Sequence, residues 1–94
     1  MSETDVGVHI FAAGRVQGVG FRYFVVREAE RLGVHGMVRN MPDRRVEVYA
    51  EGLRNSLEAL VEAVQSGPTL ASISATDVRW VDVTGRFDGF RVEA

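Results

Sequence analysis

Residues 14–22 read Gly14-Arg15-Val16-Gln17-Gly18-Val19-Gly20-Phe21-Arg22, three glycines and two arginines within nine positions. That composition suits the binding of an anion. A glycine-rich turn leading into a helix leaves successive backbone N–H groups without partners and turned into one concavity. The helix N-terminus adds about half a positive charge aimed at the same place. Glycine at positions 18 and 20 lets the backbone come close to a phosphate. Arg22, in the first helical turn, presents a planar fork of donors to phosphate oxygens. The run matches neither the Walker lysine motif nor the dinucleotide-binding spacing of glycines. A plainer reading stays open here: a tight turn whose glycines relieve strain, with Arg22 on a solvated helix face. A second stretch, Gly36-Met37-Val38-Arg39-Asn40, ends in an amide that can both donate and accept. Alone, Asn40 reads more simply as turn chemistry ahead of Pro42.

The periodicities around these residues say what would hold them. Val6, Val8, Ile10 and Ala12 alternate with Gly7, His9, Phe11 and Ala13, as in a strand with one buried face. Phe21, Phe24, Val25, Ala29 and Leu32 recur at helical spacing, and Gly33 stands where a left-handed turn would close the helix. Gly20 is expected at the helix start, where a side chain would be tolerated better than at Gly18. Residues 36–40 and 45–51 predict two strands joined by Met41-Pro42-Asp43-Arg44, with Val46, Val48 and Ala50 on one face of the second. Leu53, Leu57, Leu60, Val61 and Val64 predict a second helix, stopped by Gly67-Pro68. Val78 and Trp80 mark a fourth strand, and Phe90 and Val92 a short fifth at the C-terminus. Trp80 and the phenylalanines are assigned to the core.

The order β-α-β-β-α-β with a short extra strand predicts an α+β, ferredoxin-like α/β sandwich, two helices on one face of an antiparallel sheet. The first and second strands then run parallel with the third between them. Their C-terminal ends emerge on the same edge, roughly 10 Å apart. An anion held by the first loop, with one water, would fill that gap and reach Asn40.

Composition narrows the function classes. The chain has 94 residues, room for one core, and is expected to form a single domain over 1–94 with residues 1–5 as a flexible tail. It has no cysteine, which removes disulfides, thiolate zinc sites and cysteine nucleophiles. Eleven basic and thirteen acidic residues leave a net charge of −2, so no nucleic-acid or anionic-membrane partner is expected, and an anion must be held by a local site. No apolar run approaches the ~20 residues that span a bilayer. The first five residues, Met1-Ser2-Glu3-Thr4-Asp5, lack the pattern of a signal peptide, so a cytoplasmic protein is expected.

Taken together, the two stretches resemble the acylphosphatase family. Its first signature, a G-x-V-Q-G-V-x-F-R pattern, is matched by Gly14 through Arg22. Its second, around G-x-V-x-N, is matched by Gly36 through Asn40 and followed by the strand residues Arg45-Val46-Glu47-Val48. Thr84-Gly85-Arg86-Phe87-Asp88-Gly89-Phe90 is similar to the family's usual ending. The resemblance implies the same fold and hydrolysis of the carboxyl-phosphate bond of small acyl phosphates. It implies phosphate binding by the backbone of Gln17, Gly18, Val19, Gly20 and Phe21, and catalytic roles for Arg22 and Asn40. Inorganic phosphate or sulfate would compete for that site, and a monomer is expected. Two positions depart from the pattern. Arg44 follows the turn aspartate where relatives often have glycine, at a cost of roughly 1 kcal/mol if it is left-handed. Met37 stands where many relatives carry tryptophan.

Such chemistry asks little of the protein. The leaving group is a carboxylate whose conjugate acid has a pKa near ~4, so it departs without a general acid. The loose transition state spreads charge on the peripheral oxygens, and the task is to hold it and place a water. No metal or cofactor is expected, since no carboxylates cluster in the pattern of a magnesium site. His9 and His35 are read as structural or surface residues, and Glu28, Glu30, Glu58 and Glu62 as solvated helix faces. Tyr23 either borders the substrate mouth or packs. Two alternatives remain. One is a non-catalytic acylphosphatase-like anion-binding module, as in a larger carbamoyl-transferring maturation protein. The other is an RNA-binding domain of the same fold, which would need stacking aromatics and basic surroundings where strand three offers only Tyr49 between Glu47 and Glu51.

Overall fold

In the computed structural model residues 5–94 are described. The expected tail, residues 1–5, lies outside the described residues except for Asp5, which is exposed. Strand β1 (Val6–Arg15) buries Val8, Ile10 and Ala12 and turns His9 and Phe11 to the other side, as its alternation predicts. Helix α1 (Phe21–Leu32) buries Phe21, Val25 and Ala29, spaced four apart along one stripe. Gly33 ends it at φ 72, with its N–H and that of Val34 closing on the last carbonyls of the helix.

β2 (His35–Asn40) and β3 (Val46–Gly52) form the hairpin, α2 (Arg54–Ser66) buries Leu57, Leu60 and Val64, and β4 (Ser72–Val81) and β5 (Phe90–Val92) follow. The five strands lie in the order β4-β1-β3-β2-β5. Helix α1 packs over β2 and β5, and α2 over β1, β3 and β4. The core between helices and sheet joins Val8, Ile10 and Ala12 of β1 to Val46, Val48 and Ala50 of β3 and to both helix stripes.

Two expectations need correction. The sheet is mixed, not antiparallel, because β5 runs parallel to β2. The cause is topological. β4 ends beside Gly7, at the sheet end where β2 begins, and residues 82–89 cross along that end to the opposite edge. A strand that starts there can only run with β2. The phenylalanines also divide. Phe21 is buried and Phe24 and Phe90 pack against the core, but Phe11 lies on the uncovered face beneath the Arg45 guanidinium, 4.7 Å from its ring. Phe87, in the crossing segment, sits 5.4 Å from Tyr49 on that same face. The open face is therefore aromatic and charged where the helix-covered face is aliphatic. Trp80 packs at the core margin with Arg54 over its ring.

Candidate active site

Register places the two sequence-derived stretches together. Ala12 of β1 and Asn40 of β2 both pair with Val46 of β3, so they flank one residue of the intervening strand. Cross-strand partners share a face. Ala12 and Val46 are fully buried beneath the helices, so Asn40 turns to that side, where α1 begins. Asn40 Oδ1 is buried and has no hydrogen-bond partner among the described residues. A buried acceptor left so costs about 1–3 kcal/mol, unless water or ligand completes it.

The loop from β1 to α1 is pinned at both ends by the core, through Val16 and Phe21, each about 1% exposed. Between these anchors the backbone alternates in sign. Gly18 has φ 75 and Gly20 φ 78, while Arg44 is the one non-glycine with positive φ among the described residues, so Gln17, Val19 and Phe21 lie on the negative side. Alternation of right- and left-handed residues turns successive N–H groups into one concavity. None of the N–H groups of residues 17–21 donates to an acceptor among the described residues, and the first bond of the helix is Phe24 N–H to the Gly20 carbonyl. Gly20 is therefore the helix cap but left-handed, and the expectation that it would tolerate a side chain better than Gly18 is corrected. A Cβ at either position meets nothing within 4 Å, so glycine is required by backbone angle and not by crowding.

Arg22, one residue into α1, is half-buried and forms no ion pair among the described residues. Tyr23 beside it is 67% exposed, which removes the packing alternative. A cleft of about 420 Å³ opens between residues 14–17, at the end of β1 and the start of the loop, and Arg44 of the hairpin turn. Arg44 takes the left-handed conformation at φ 75 that glycine adopts more easily. The turn holds regardless. Arg44 N–H donates to the Met41 carbonyl, Met41 N–H to the Arg45 carbonyl, and Asp43 accepts from both the N–H and the guanidinium of Arg45. Those donors from Arg45 hold the Asp43 carboxyl below the usual range.

One contact has no counterpart in sequence reasoning. The Gln17 side-chain Nε2 donates to the carbonyls of Met41 and Arg45, both at 3.0 Å, tying the loop to the hairpin that carries Asn40. A glutamine at the second position of a loop gives no signal of which carbonyls it will meet.

Other titratable groups lie elsewhere. His9 Nε2 is 2.6 Å from Glu47 on the open face, where Arg39 also binds Glu47. Burial pushes the Glu47 carboxyl up, but the Arg39 and His9 hydrogen bonds outweigh it and hold it below the ordinary value. His9 and Glu47 border a groove of about 370 Å³ with Met37, Tyr49 and Phe87, on the side of the sheet away from the helices. His35 is exposed. Glu28 pairs with Arg31 and Glu58 with Arg54 on the helix surfaces.

Against known proteins, the model of the Acylphosphatase family matches residues 8–92. An acylphosphatase of Salinibacter ruber is 49% identical over 89 residues, covering 95% of this chain and 94% of that one. The crystal structure of an acylphosphatase from Bacillus subtilis superposes with a TM-score of 0.91 at 38% identity, covering 95% of this chain and 99% of the other. Full-length HypF, in a phosphate- and nucleotide-bound form, contains a similar unit with a TM-score of 0.91 and 28% identity, which covers all of this chain and 12% of that one.

Proposed function

Because the chain belongs to the acylphosphatase family, and so hydrolyses acyl phosphates to a carboxylate and inorganic phosphate, we propose that residues 17–21, Arg22 and Asn40 carry the reaction. The observation that carries this assignment is the run of five consecutive N–H groups without acceptors among the described residues, on a backbone of alternating handedness. The phosphoryl group lies in that concavity, its charge opposed by the N–H dipoles and the start of α1. Arg22 reaches the peripheral oxygens, where charge is spread in the transition state. Asn40 holds the attacking water through its buried, unpartnered oxygen and directs it in line with the departing carboxylate.

The leaving carboxylate departs as an anion, and the water's proton passes to a phosphoryl oxygen, so neither His9 nor a metal is called on. The reading carries with it a single acting domain, a monomer, a cytoplasmic setting, and inorganic phosphate or sulfate as competing ligands.

The test is hydrolysis of benzoyl phosphate by the purified protein, with inorganic phosphate as competitor. Turnover that phosphate inhibits competitively is the expected result. Phosphate binding without turnover would instead make the chain an anion-binding module, the reading suggested by its likeness to a small part of HypF.

A further inference from the structure

Two groups on different elements must keep a fixed separation for this reaction. The cradle hangs from β1 and α1, and Asn40 ends β2, with one strand between. The hairpin after Asn40 is exposed from Pro42 to Arg44 and strained at Arg44, so its own bonds are a poor guarantee of that spacing. A single side chain spans the two. Gln17 lies in the loop, and its one amide nitrogen uses both hydrogens, on the carbonyls of Met41 and Arg45. Met41 directly follows Asn40, and the Arg45 carbonyl also accepts the N–H of Met41. Gln17 thus grips the hairpin at the pair of residues that closes it, one residue from the amide that holds the water.

We propose that the Gln17 side chain is a positioning residue, a latch that sets Asn40 against the phosphate cradle. This rests on the functional reading above. It separates two parts of one residue: the backbone N–H of Gln17 belongs to the cradle, and the side chain acts on turnover through Asn40. Removing the side-chain amide leaves the five N–H groups and Arg22 in place, so ground-state binding of phosphate is kept. The water is then held at the wrong distance from phosphorus. A misplacement on the scale of 1 Å at a reacting centre costs on the order of 10²-fold in rate.

The experiment is a double-mutant cycle in the full chain, with kcat on benzoyl phosphate and the inhibition constant of inorganic phosphate read for each variant. Gln17→Met keeps the side-chain length without the donors, and Gln17→Ala removes both, so a folding defect from lost volume in the second leaves the first readable. The expected result is a fall in kcat of about 10- to 100-fold with phosphate inhibition changed by less than about 3-fold. Placed on Asn40→Ala, the Gln17 substitution should then change kcat by less than about 2-fold, because its target is gone. Multiplicative losses in the double variant would overturn the latch, as would equal loss of phosphate affinity and turnover in Gln17→Met. Full activity in Asn40→Ala alone would reject the reading of the site itself, a result distinct from either of these.

Discussion

Glu51 offers a perturbation whose size can be worked from the structure. Its side chain is 7% exposed on the uncovered face and accepts four hydrogen bonds: Tyr49 hydroxyl at 2.6 Å, Thr84 N–H at 2.6 Å, Thr84 hydroxyl at 2.8 Å and Gly85 N–H at 3.1 Å. Burial pushes its pKa up, but these donors prevail and hold it at about 2. The same burial and the Glu51 carboxylate raise the Tyr49 hydroxyl. A carboxyl lowered from an ordinary ~4.3 to about 2 supplies roughly 3 kcal/mol of folding stability. Because the folded value is the depressed one, that stability is complete above pH ~4.3 and drains away as pH falls toward about 2.

Glu51→Gln should therefore be less stable than the parent by about 2–3 kcal/mol at neutral pH, since an amide offers one acceptor oxygen and turns its own donors toward Thr84 and Gly85. For a domain of this size the Tm falls by ~8–24 °C. The assay is urea denaturation of both proteins at a series of pH values from 7 to 3. The gap between them should narrow below pH ~4, as Glu51 takes up a proton in the parent's unfolded state while the folded carboxylate stays ionised. Glu47 is present in both and drops out of the comparison. Glu51 pairs with Gly7 and His35, at the sheet end remote from Asn40, so kcat of the folded variant should stay within about 2-fold. A gap that stays constant down to pH 3 would refute the linkage. Loss of kcat in the folded variant would refute the separation of Glu51 from the site.

Other perturbations act on the loop and the hairpin. Gly18→Val places a β-branched residue at φ 75, which forces the loop out of its alternation and should abolish turnover in folded protein, whereas Val19→Ile should keep it; benzoyl phosphate hydrolysis reads both. Arg44→Gly relieves a left-handed arginine and should raise stability by about 0.5–1 kcal/mol by urea denaturation. Chelators should leave the rate unchanged, and His9→Gln and His35→Gln should stay active; a profile governed by a group near pH ~6.5 and lost in either variant would mean that a general base has been overlooked.

Much of this was legible in the sequence because local signals and tertiary demands agree. The alternation of β1, the stripe of Phe21, Val25 and Ala29, and Gly33 as helix stop each state a periodicity that the fold keeps. The placing of Asn40 beside the loop follows from strand order alone. What stayed hidden depends on direction in space. The parallel sense of β5 is decided by where residues 82–89 cross, which no residue type announces. Phe11 and Phe87 read as core residues in the sequence because hydrophobicity carries no sign of which face is covered; here the sheet buries one face and leaves the other aromatic. The left-handed angle at Gly20 and the two hydrogen bonds of Gln17 are set by how the loop closes on the hairpin.

The central claim is a division of roles: Arg22 and the cradle hold the phosphoryl group, and Asn40 places the water. The most direct measurement is kcat together with the inhibition constant of inorganic phosphate in Arg22→Ala and Asn40→Ala. Both should lose about 10²–10³-fold in kcat, the scale for a deleted transition-state donor. Arg22→Ala should also lose most of its phosphate affinity, while Asn40→Ala keeps its own within a few-fold. Equal loss of phosphate affinity in the two variants, or full turnover in either, would contradict the account.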